Sequence, residues 1–311
     1  MSTNVLRTHD GWWVARGDLA VPVDTRAETT AELIADAAAV KAARESTEDG
    51  VPIAELEPLS PVTTPCRVVA QMVNYRSHAK DSGFTGDIPP AFFRKASGSV
   101  SAPGGAIRRP AHVRFLDYEV ELGLVLGAPL PIGATVTEED LPKYLAGLVI
   151  TNDVSARDVQ LTKTQFYESK SYPTFTPTGP FLALLDAEDF PHLTSLRLSL
   201  SVNGELRQDR TVTDMIVRPA QALTLLARFQ ALDPGDLLLT GTPGGTALKA
   251  PPKIAEKIGA LLPADVKWRM FFRSQSRNPR YLADGDVVTA TIATPDRRID
   301  LGRQHTPVVG T

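Results

Sequence analysis

Three acidic side chains alternate with apolar ones in the segment DYEVELGLVLG, where Asp117, Glu119 and Glu121 are separated by single residues. If this segment is a β-strand, its period of two places the three carboxylates on one face. Neighbouring like charges repel, and a hard divalent cation such as Mg²⁺, which takes oxygen ligands, would remove the repulsion. A solvated strand face is the ordinary alternative, so the spacing alone leaves both a metal site and a plain polar surface open.

A further oxygen ligand is available from Asp153 in the segment TNDVSARDVQ. The segment follows the apolar run LAGLVI, so Asp153 stands at the predicted end of a strand. An Asn-Asp pair at that position begins a turn and can direct its side chains into a cleft. Simple turn formation would also explain the pair.

Two further segments carry candidates for proton transfer and charge stabilisation. In QMVNYRSHAKDSG, Asp81 follows His78 by three residues, which is one helical turn. A histidine near a carboxylate can serve as general base for a water molecule, while the carboxylate supports the imidazolium. Lys170, in ESKSYPTFTPTGP, could stabilise an enolate or oxyanion. A structural histidine and a solvated surface lysine are the alternatives.

The elements that must position these residues follow an N-terminal region whose amino-acid composition differs from that of the rest of the chain. Residues 11–23 mix aromatic and β-branched residues around an Arg-Gly-Asp break, which predicts a hairpin. Residues 27–45 are Ala-rich with acids early and bases late, which predicts a helix. A connector with four prolines follows, so we expect a small module over residues 1–62 and a catalytic domain over residues 63–311.

From Val68 onward, short β-rich runs are separated by Gly and Pro. Strands are predicted at RVVAQMV, VRFLDYEVELGLVLG, LAGLVITNDVS, TGPFLALL, LRLSLSVNG, DLLLTG and DVVTATIA. Helical spacing occurs at residues 136–146 and 219–230. Residues 248–282 follow no clean period and are interpreted as an insertion, either a solvated loop or a lid or dimer contact. The pattern predicts an α+β fold that is mainly β, with peripheral helices.

Composition excludes several classes of protein. The 311 residues are 42% hydrophobic and 22% charged, as in ordinary globular chains. Lys and Arg total 33 against 36 acidic residues, and no long basic run is present, so we expect no nucleic-acid partner. Without an apolar run of about 18 residues or a signal-like N-terminus, we expect no membrane association and a cytoplasmic location. The single Cys66 cannot form an intramolecular disulfide and is interpreted as a small structural side chain.

Six motifs in a fixed order resemble the fumarylacetoacetate hydrolase family. They are NYRSHA, PPAFFRKASGSVSAPG, DYEVEL, NDVSARDVQ, KSYPTFTPTGP and LLLTGTPGG. The resemblance extends from about Val68 to Gly245 and resumes weakly at DGDVVTATI. It implies a mixed β roll with small flanking helices, a homodimer, and a separate N-terminal module such as residues 1–62.

The resemblance also implies roles for individual residues. Glu119, Glu121 and Asp153 correspond to ligands of Mg²⁺ or a similar ion, with Mn²⁺ and Ca²⁺ as alternatives, whereas Asp117 falls outside this ligand set and would support it. His78, assisted by Asp81, corresponds to the base that activates water, and Lys170 to the cation that holds the substrate oxygen. The positions implied for substrate binding are Tyr75, Arg76, Gln160 and Thr242.

Three departures from the family pattern are visible. Asp81 stands where many small relatives have Glu, Pro173 stands where Asp or Gly is common, and the insertion at 248–282 replaces a loop that is often short. Because the shorter Asp81 side chain has less reach and the insertion is particular to this chain, neither the dyad nor the substrate specificity can simply be transferred.

The resemblance implies a metal-dependent hydrolase that cleaves a C–C bond in an acylpyruvate or related β-diketo acid. Water activated by His78 would attack the distal carbonyl, and the ion and Lys170 would hold the released enolate. β-Keto acid decarboxylation of the oxaloacetate type, or keto–enol isomerisation, would use the same site without an attacking water. A metal-stabilised dimeric scaffold without catalysis is the third hypothesis.

Overall fold

The computed structural model describes residues 2–84, 89–163, 165–251 and 262–311. Its strands, in chain order, are β1 (Thr3–Thr8), β2 (Gly11–Arg16), β3 (Leu19–Pro22), β4 (Val51–Pro52), β5 (Val68–Met72), β6 (Ala91–Lys95), β7 (Val100–Ser101), β8 (Ile107–Arg109), β9 (Leu116–Asp117), β10 (Val120–Leu126), β11 (Leu145–Asn152), β12 (Ser155–Ala156), β13 (Thr176–Pro177), β14 (Leu182–Leu184), β15 (Arg197–Val202), β16 (Glu205–Thr211), β17 (Leu237–Leu239), β18 (Val287–Ala293) and β19 (Asp300–Gly310).

Helices are short and lie between the strands. The α-helices are α1 (Thr30–Ala35), α2 (Ala37–Glu45), α3 (Arg76–Asp81), α4 (Leu141–Tyr144), α5 (Arg157–Gln160), α6 (Tyr167–Lys170), α7 (Pro219–Leu226) and α8 (Ala264–Gln275). The 3₁₀ helices are Ile53–Glu55, Ser97–Ser99, Glu138–Asp140, Ala187–Ser195 and Val212–Asp214. Among the described helices, none combines the length and apolar character needed to cross a bilayer. The prediction of a mainly β α+β fold is confirmed.

The largest sheet contains ten of the described strands, in the order β4-β3-β2-β1-β14-β11-β10-β17-β5-β6. β1 joins it by antiparallel pairing with β14, with Val5 opposite Leu182. β17 and β5 pair in parallel, with Leu237 opposite Val68. A second sheet has the order β16-β15-β18-β19-β8. The central strands β10 and β11 therefore have neighbours on both sides and lie inside the protein.

Strand β10 is buried on both faces, as expected for a strand covered by packed elements on each side. Leu122, Leu124 and Leu126 contribute to the larger core cluster, whereas Val125 contributes to the other. This second cluster also contains Leu33 of α1. The first sixty residues share both a sheet and a core with later strands. The amino-acid composition changes near residue 62, but the boundary of a separate module at this point stays a prediction.

Local predictions were partly confirmed. The hairpin over residues 11–23 is formed by β2 and β3. The single helix predicted over 27–45 is divided into α1 and α2 at Asp36, whose backbone N–H ends α1 by donating to Glu32 O and whose carboxylate caps the start of α2. The interpretation of the insertion as a solvated loop is wrong for Ala264–Gln275, which form the helix α8. Residues 252–261 of the insertion lie outside the described residues.

The prediction of one continuous strand through DYEVEL is wrong. β9 ends at Asp117 and β10 begins at Val120. Between them, the Tyr118 N–H donates to Asp117 Oδ1 at 2.9 Å and the Glu119 N–H donates to Asn152 Oδ1 at 2.9 Å. Side-chain oxygens therefore take backbone donors that a continuous ladder would use, and the ladder is interrupted at Tyr118 and Glu119.

Candidate active site

Glu119, Glu121 and Asp153 meet where β10 begins and β11 ends. These strands pair antiparallel with Val120 opposite Asn152, and the Asp153 N–H donates to Glu119 O at 2.8 Å. One carboxylate oxygen from each acidic residue lies within 4.8 Å of the others. Their side chains are buried, with residue exposures of 5%, 1% and 1%. The spatial cluster predicted from the sequence is therefore formed.

Lys170 stands between two of these carboxylates. Its Nζ lies 2.7 Å from Glu119 Oε2 and 2.6 Å from Asp153 Oδ2. Lys170 is itself buried; burial lowers its pKa, but the charges of Asp153 and Glu119 outweigh this and raise the pKa above its ordinary value. The ammonium group is therefore charged and held by the acidic cluster, a name used here for Glu119, Glu121 and Asp153.

Two other buried cations complete the charge arrangement. Lys95 Nζ pairs with Asp153 Oδ1 and donates to Phe175 O at 2.9 Å. Arg157 Nη2 pairs with Glu119 Oε1, and its Nε lies 2.8 Å from Asp117 Oδ2. With Glu121, the cluster contains four acidic and three basic side chains, so it carries one more formal negative charge than positive when all are ionised.

The two glutamates respond differently to this environment. Burial and the charges of Asp153 and Glu119 raise the pKa of Glu121 well above its ordinary range. Burial would also raise the pKa of Glu119, but Lys170, Arg157 and His78 hold it well below the usual range. A cation close to Glu121 would favour its ionised form, because an opposite charge stabilises a carboxylate.

The loop after β17 fixes Glu121. The Gly241 N–H donates to Glu121 Oε2 at 2.7 Å. Gly241 has a φ of +84°, and a Cβ at this position would lie 2.7 Å from Asn74 Cβ. Glycine is therefore required here both by the left-handed backbone and by the close approach of Asn74.

The donor set of Glu119, Glu121 and Asp153 suits a small hard cation. All three supply oxygen atoms, the ligand type of Mg²⁺, Mn²⁺ and Ca²⁺, and they include no soft sulfur donor. When Glu121 is ionised, the buried side chains carry one more negative than positive charge, so a bound cation and the ionised form of Glu121 favour each other. These three residues could hold a divalent metal ion.

His78 lies in the short helix α3 and is half-buried, with its Nδ1 enclosed. Burial lowers its pKa, against the opposing charge of Glu119. Asp81, its expected partner, instead accepts the Gly245 N–H at 3.0 Å and lies 3.8 Å from Lys249 Nζ. Among the described residues, no hydrogen bond joins the two side chains, so the expected dyad is not formed.

One cavity of about 710 Å³ brings most of the predicted residues together. Its wall includes His78, Glu119, Glu121, Asp153, Gln160, Lys170 and Thr242. Gln160 Oε1 accepts a hydrogen bond from Arg157 Nη1 at 2.7 Å. Thr242 Oγ1 donates to Val120 O at 2.9 Å.

Tyr75 and Arg76 are not among the described residues that line this cavity. Tyr75 is fully buried and forms a backbone bridge with Met215. Arg76 Nη1 donates to the carbonyl oxygens of Thr213 and Met215, each at 3.1 Å. Their assignment to substrate binding stays a prediction that this geometry does not favour.

Sequence reasoning missed Lys95 and Arg157 as parts of the site. Both stand inside motifs that carry the family resemblance, FFRKASG and NDVSARDVQ, and this is the signal that could have identified them. Asp117 does lie outside the three-carboxylate cluster, as expected. Besides holding Arg157, its carboxylate accepts the N–H groups of Ala247 at 2.8 Å and Leu248 at 3.1 Å.

Comparisons with known proteins identify relatives of this site and fold. The family model described as fumarylacetoacetate (FAA) hydrolase C-terminal matches residues 67–309. A mitochondrial oxaloacetate tautomerase of Rattus norvegicus is 33% identical over 210 residues, which are 67% of this chain and 66% of the relative, just under two thirds of its length. A 2,4-didehydro-3-deoxy-L-rhamnonate hydrolase of Sphingomonas sp. (strain SKA58) is 33% identical over 250 residues, 79% of this chain and 86% of the relative.

The fold is also similar to that of solved structures. The crystal structure of a probable 2-hydroxyhepta-2,4-diene-1,7-dioate isomerase from Mycobacterium abscessus has a TM-score of 0.75 and 29% identity, covering 100% of this chain and 99% of the other. The relatives thus include enzymes named for tautomerase, hydrolase and isomerase reactions. The chain belongs to the fumarylacetoacetate hydrolase family.

Proposed function

We propose that this protein is a metal-dependent hydrolase that cleaves a C–C bond in an acylpyruvate or a related β-diketo acid. One observation carries the proposal: three buried carboxylates, Lys170 and His78 line a single cavity. Glu119, Glu121 and Asp153 would hold the ion, most suitably Mg²⁺, which when bound supplies Lewis-acid polarisation of the oxo-acid oxygens.

The side chains of the protein would perform the proton and charge transfers. The lowered pKa of His78 keeps its imidazole neutral near pH 7, so it can accept a proton from water. The water oxygen bonds to the acyl carbon, and the C–C bond breaks with its electrons passing to the pyruvate enolate. The Lys170 ammonium stabilises the enolate oxygen, and the proton on His78 returns to the enolate carbon. The products are a carboxylic acid and pyruvate.

A turnover assay tests this function. Purified protein is supplied with Mg²⁺ or Mn²⁺ and acetylpyruvate, and the loss of enol absorbance is followed. We expect turnover that is abolished by a chelator and restored by added ion, and at least a hundredfold lower activity in Glu119→Gln. The exposed Glu139→Gln should behave like the parent protein. Undiminished turnover in excess chelator would rule the proposal out.

A second candidate function, keto–enol tautomerisation or decarboxylation of a β-keto acid such as oxaloacetate, is favoured by a specific observation. Asp81 forms no hydrogen bond with His78, so the imidazolium that water activation would generate lacks the expected carboxylate support. Enolate stabilisation by Lys170 needs no attacking water. The 33% identity to an oxaloacetate tautomerase also supports this alternative.

The variant His78→Asn discriminates between the two functions when it is assayed on both acetylpyruvate and oxaloacetate. If His78 activates water, acetylpyruvate hydrolysis is lost while oxaloacetate tautomerisation persists. Equal retention of both activities would exclude His78 as the base.

Assembly and location remain predictions. We propose a homodimer, which light scattering coupled to size-exclusion chromatography would test. The cytoplasmic location also stays a prediction, and the rat relative is named as a mitochondrial protein.

A further inference from the structure

Helix α8, in the insertion, carries two adjacent stripes of side chains. Lys267, Phe271 and Ser274 recur every three or four residues and line the cavity that contains the acidic cluster. Trp268 and Phe272 form the neighbouring stripe. Trp268 also lines the cavity, so α8 presents an indole and a phenyl ring to the same space as the candidate catalytic residues.

The second stripe anchors α8 to the core. Phe272 stacks on Phe115 with ring centroids 5.6 Å apart and an interplanar angle of 20°. Trp268 stacks on Phe272 at 5.8 Å and 21°. Phe115 is only 4% exposed, and its carbonyl accepts the Arg157 N–H at 2.9 Å. The helix therefore packs on Phe115, which directly precedes β9. The rings of Trp268 and Phe272 are held in defined positions by this stacking.

Aromatic side chains also stand beside the acidic cluster itself. Phe93 and Phe166 pack edge to face with centroids 5.6 Å apart, and both line the cavity. Lys170 Nζ lies 5.5 Å from the Phe93 ring centroid. An apolar surface therefore begins next to the ammonium group that we assign to the enolate.

The cations of the cavity wall near α8 already have partners. Lys249 Nζ lies 3.8 Å from Asp81 Oδ1. Lys267 Nζ stands over the Trp268 ring at 5.2 Å from its centroid. Each ammonium group keeps its charge in such a contact, and beside them this part of the wall offers the rings of α8 and the alkyl stems of the two lysines.

The cavity is much larger than a small oxo acid requires. Its volume of about 710 Å³ lies within the range of sites that enclose drug-sized ligands. Resting on the proposed function, we propose that the substrate carries a bulky apolar acyl substituent, aromatic or long alkyl, packed against Phe271 and Trp268 of α8 and the Phe93–Phe166 pair. Phe271 and Trp268 are then specificity-determining residues, while the oxo-acid end is held at the acidic cluster.

Binding of three 2-oxo acids that lack the second ketone needed for C–C cleavage, measured on the full-length protein with Mg²⁺, tests this inference. Isothermal titration calorimetry compares phenylpyruvate, pyruvate and 2-oxoglutarate. We expect phenylpyruvate to bind at least about tenfold more tightly than pyruvate, since enclosing an apolar group discriminates to this extent. Phe271→Ala should remove most of this preference, because the affinity for phenylpyruvate should fall more than the affinity for pyruvate. Arg273→Ala, an exposed α8 position outside the cavity wall, is the matched control and should keep the preference.

The outcomes separate this inference from the function on which it rests. Equal affinities for phenylpyruvate and pyruvate, stronger binding of 2-oxoglutarate, or an unchanged preference in Phe271→Ala would overturn the apolar subsite and leave the oxo-acid function standing. Failure of all three probes to bind in the presence of Mg²⁺ would overturn the oxo-acid function and the subsite with it.

Discussion

At the candidate site, buried side chains of opposite charge come from distant parts of the chain. Lys95 ends β6, Lys170 ends α6 and Arg157 begins α5, yet each pairs with a carboxylate at the β10–β11 end. Removing a charge from water is costly, and such groups are tolerated only when partners compensate it. Loss of one cation therefore leaves a buried carboxylate with less compensating charge, whereas a bound divalent ion supplies new positive charge.

The variant Lys95→Met is expected to lose stability and to gain more from added Mg²⁺ than the parent protein. Because Asp153 loses one of its two buried partners and keeps Lys170, the free energy of unfolding of the metal-free protein should fall by about 1–3 kcal/mol. Added Mg²⁺ should raise the melting temperature of the variant by more than that of the parent, since the ion replaces the missing charge. Thermal unfolding with and without Mg²⁺ measures both effects.

Lys143→Met is the control for Lys95→Met. Lys143 pairs with Asp140, but its side chain is 71% exposed, and loss of such a pair changes stability little. A metal-free Lys95→Met protein that melts with the parent would contradict the structural account of Lys95.

The acidic cluster was predictable at the residue scale, but its cations were not. Period-two spacing and the ordered motifs together predict Glu119, Glu121 and Asp153 from the sequence. The pairing of Lys95 with Asp153 depends on a contact across 58 residues, which local spacing cannot reveal. The absence of a hydrogen bond between His78 and Asp81 could not be predicted for the same reason. The Asp81 carboxylate accepts the N–H of Gly245, which lies in a loop distant in the sequence.

At the scale of elements, the loop after β17 connects the sheet to the site. Gly241 in this loop takes a left-handed conformation and donates its N–H to Glu121. Alanine in this region of backbone space costs roughly 1–2 kcal/mol from its own sterics. At Gly241 the added Cβ would also meet Asn74 Cβ at 2.7 Å, so the loop must shift.

The pair Gly241→Ala and Gly133→Ala separates these two costs. Gly133 has a similar φ of +87°, but nothing lies within 4 Å of its added Cβ. Gly133→Ala should therefore show only the backbone cost and normal Mg²⁺ affinity. Gly241→Ala should lose more stability and bind Mg²⁺ at least about tenfold more weakly, which corresponds to about 1.4 kcal/mol. Urea unfolding and calorimetric titration provide the two measurements, and equal effects of both variants would contradict the role of the loop.

Element types were largely predictable because apolar periodicity reports which faces are buried. The strands β5, β11, β15 and β18 fall within the predicted β-rich runs. The break between β9 and β10 could not be predicted, since it depends on Asn152 supplying an acceptor from the neighbouring strand. The helix α8 was missed because its inner rings are divided between the core and the cavity, which obscures a single apolar stripe.

At the scale of the whole molecule, the N-terminal region is continuous with the rest of the structure. β1 pairs with β14, and Leu33 of α1 lies in the same core cluster as Leu237 of β17. The amino-acid composition changes near residue 62, but a change of composition does not reveal whether two regions share a sheet. Long-range pairing of strands decides this, and single-sequence patterns do not encode it locally.

Calorimetry of Leu33→Ala tests whether residues 1–62 behave as a separate module. Leu33 is fully buried, so its truncation should cost about 2–5 kcal/mol. Because the sheet and core are shared, we expect one unfolding transition that moves to lower temperature. Leu198→Ala, equally buried in β15 of the other sheet, should move the same transition. Two transitions, with Leu33→Ala lowering only one and Leu198→Ala the other, would instead establish an independent module.

The central claim is that Glu119, Glu121 and Asp153 together bind the divalent ion on which the chemistry depends. Anomalous diffraction from crystals grown with Mn²⁺ tests this most directly, because the signal locates the ion without reference to activity. We predict a single strong peak within ligand distance of all three carboxylates, with the Lys170 ammonium displaced from between Glu119 and Asp153. No peak at this cluster with saturating Mn²⁺, or a peak that these carboxylates do not ligate, would contradict the claim.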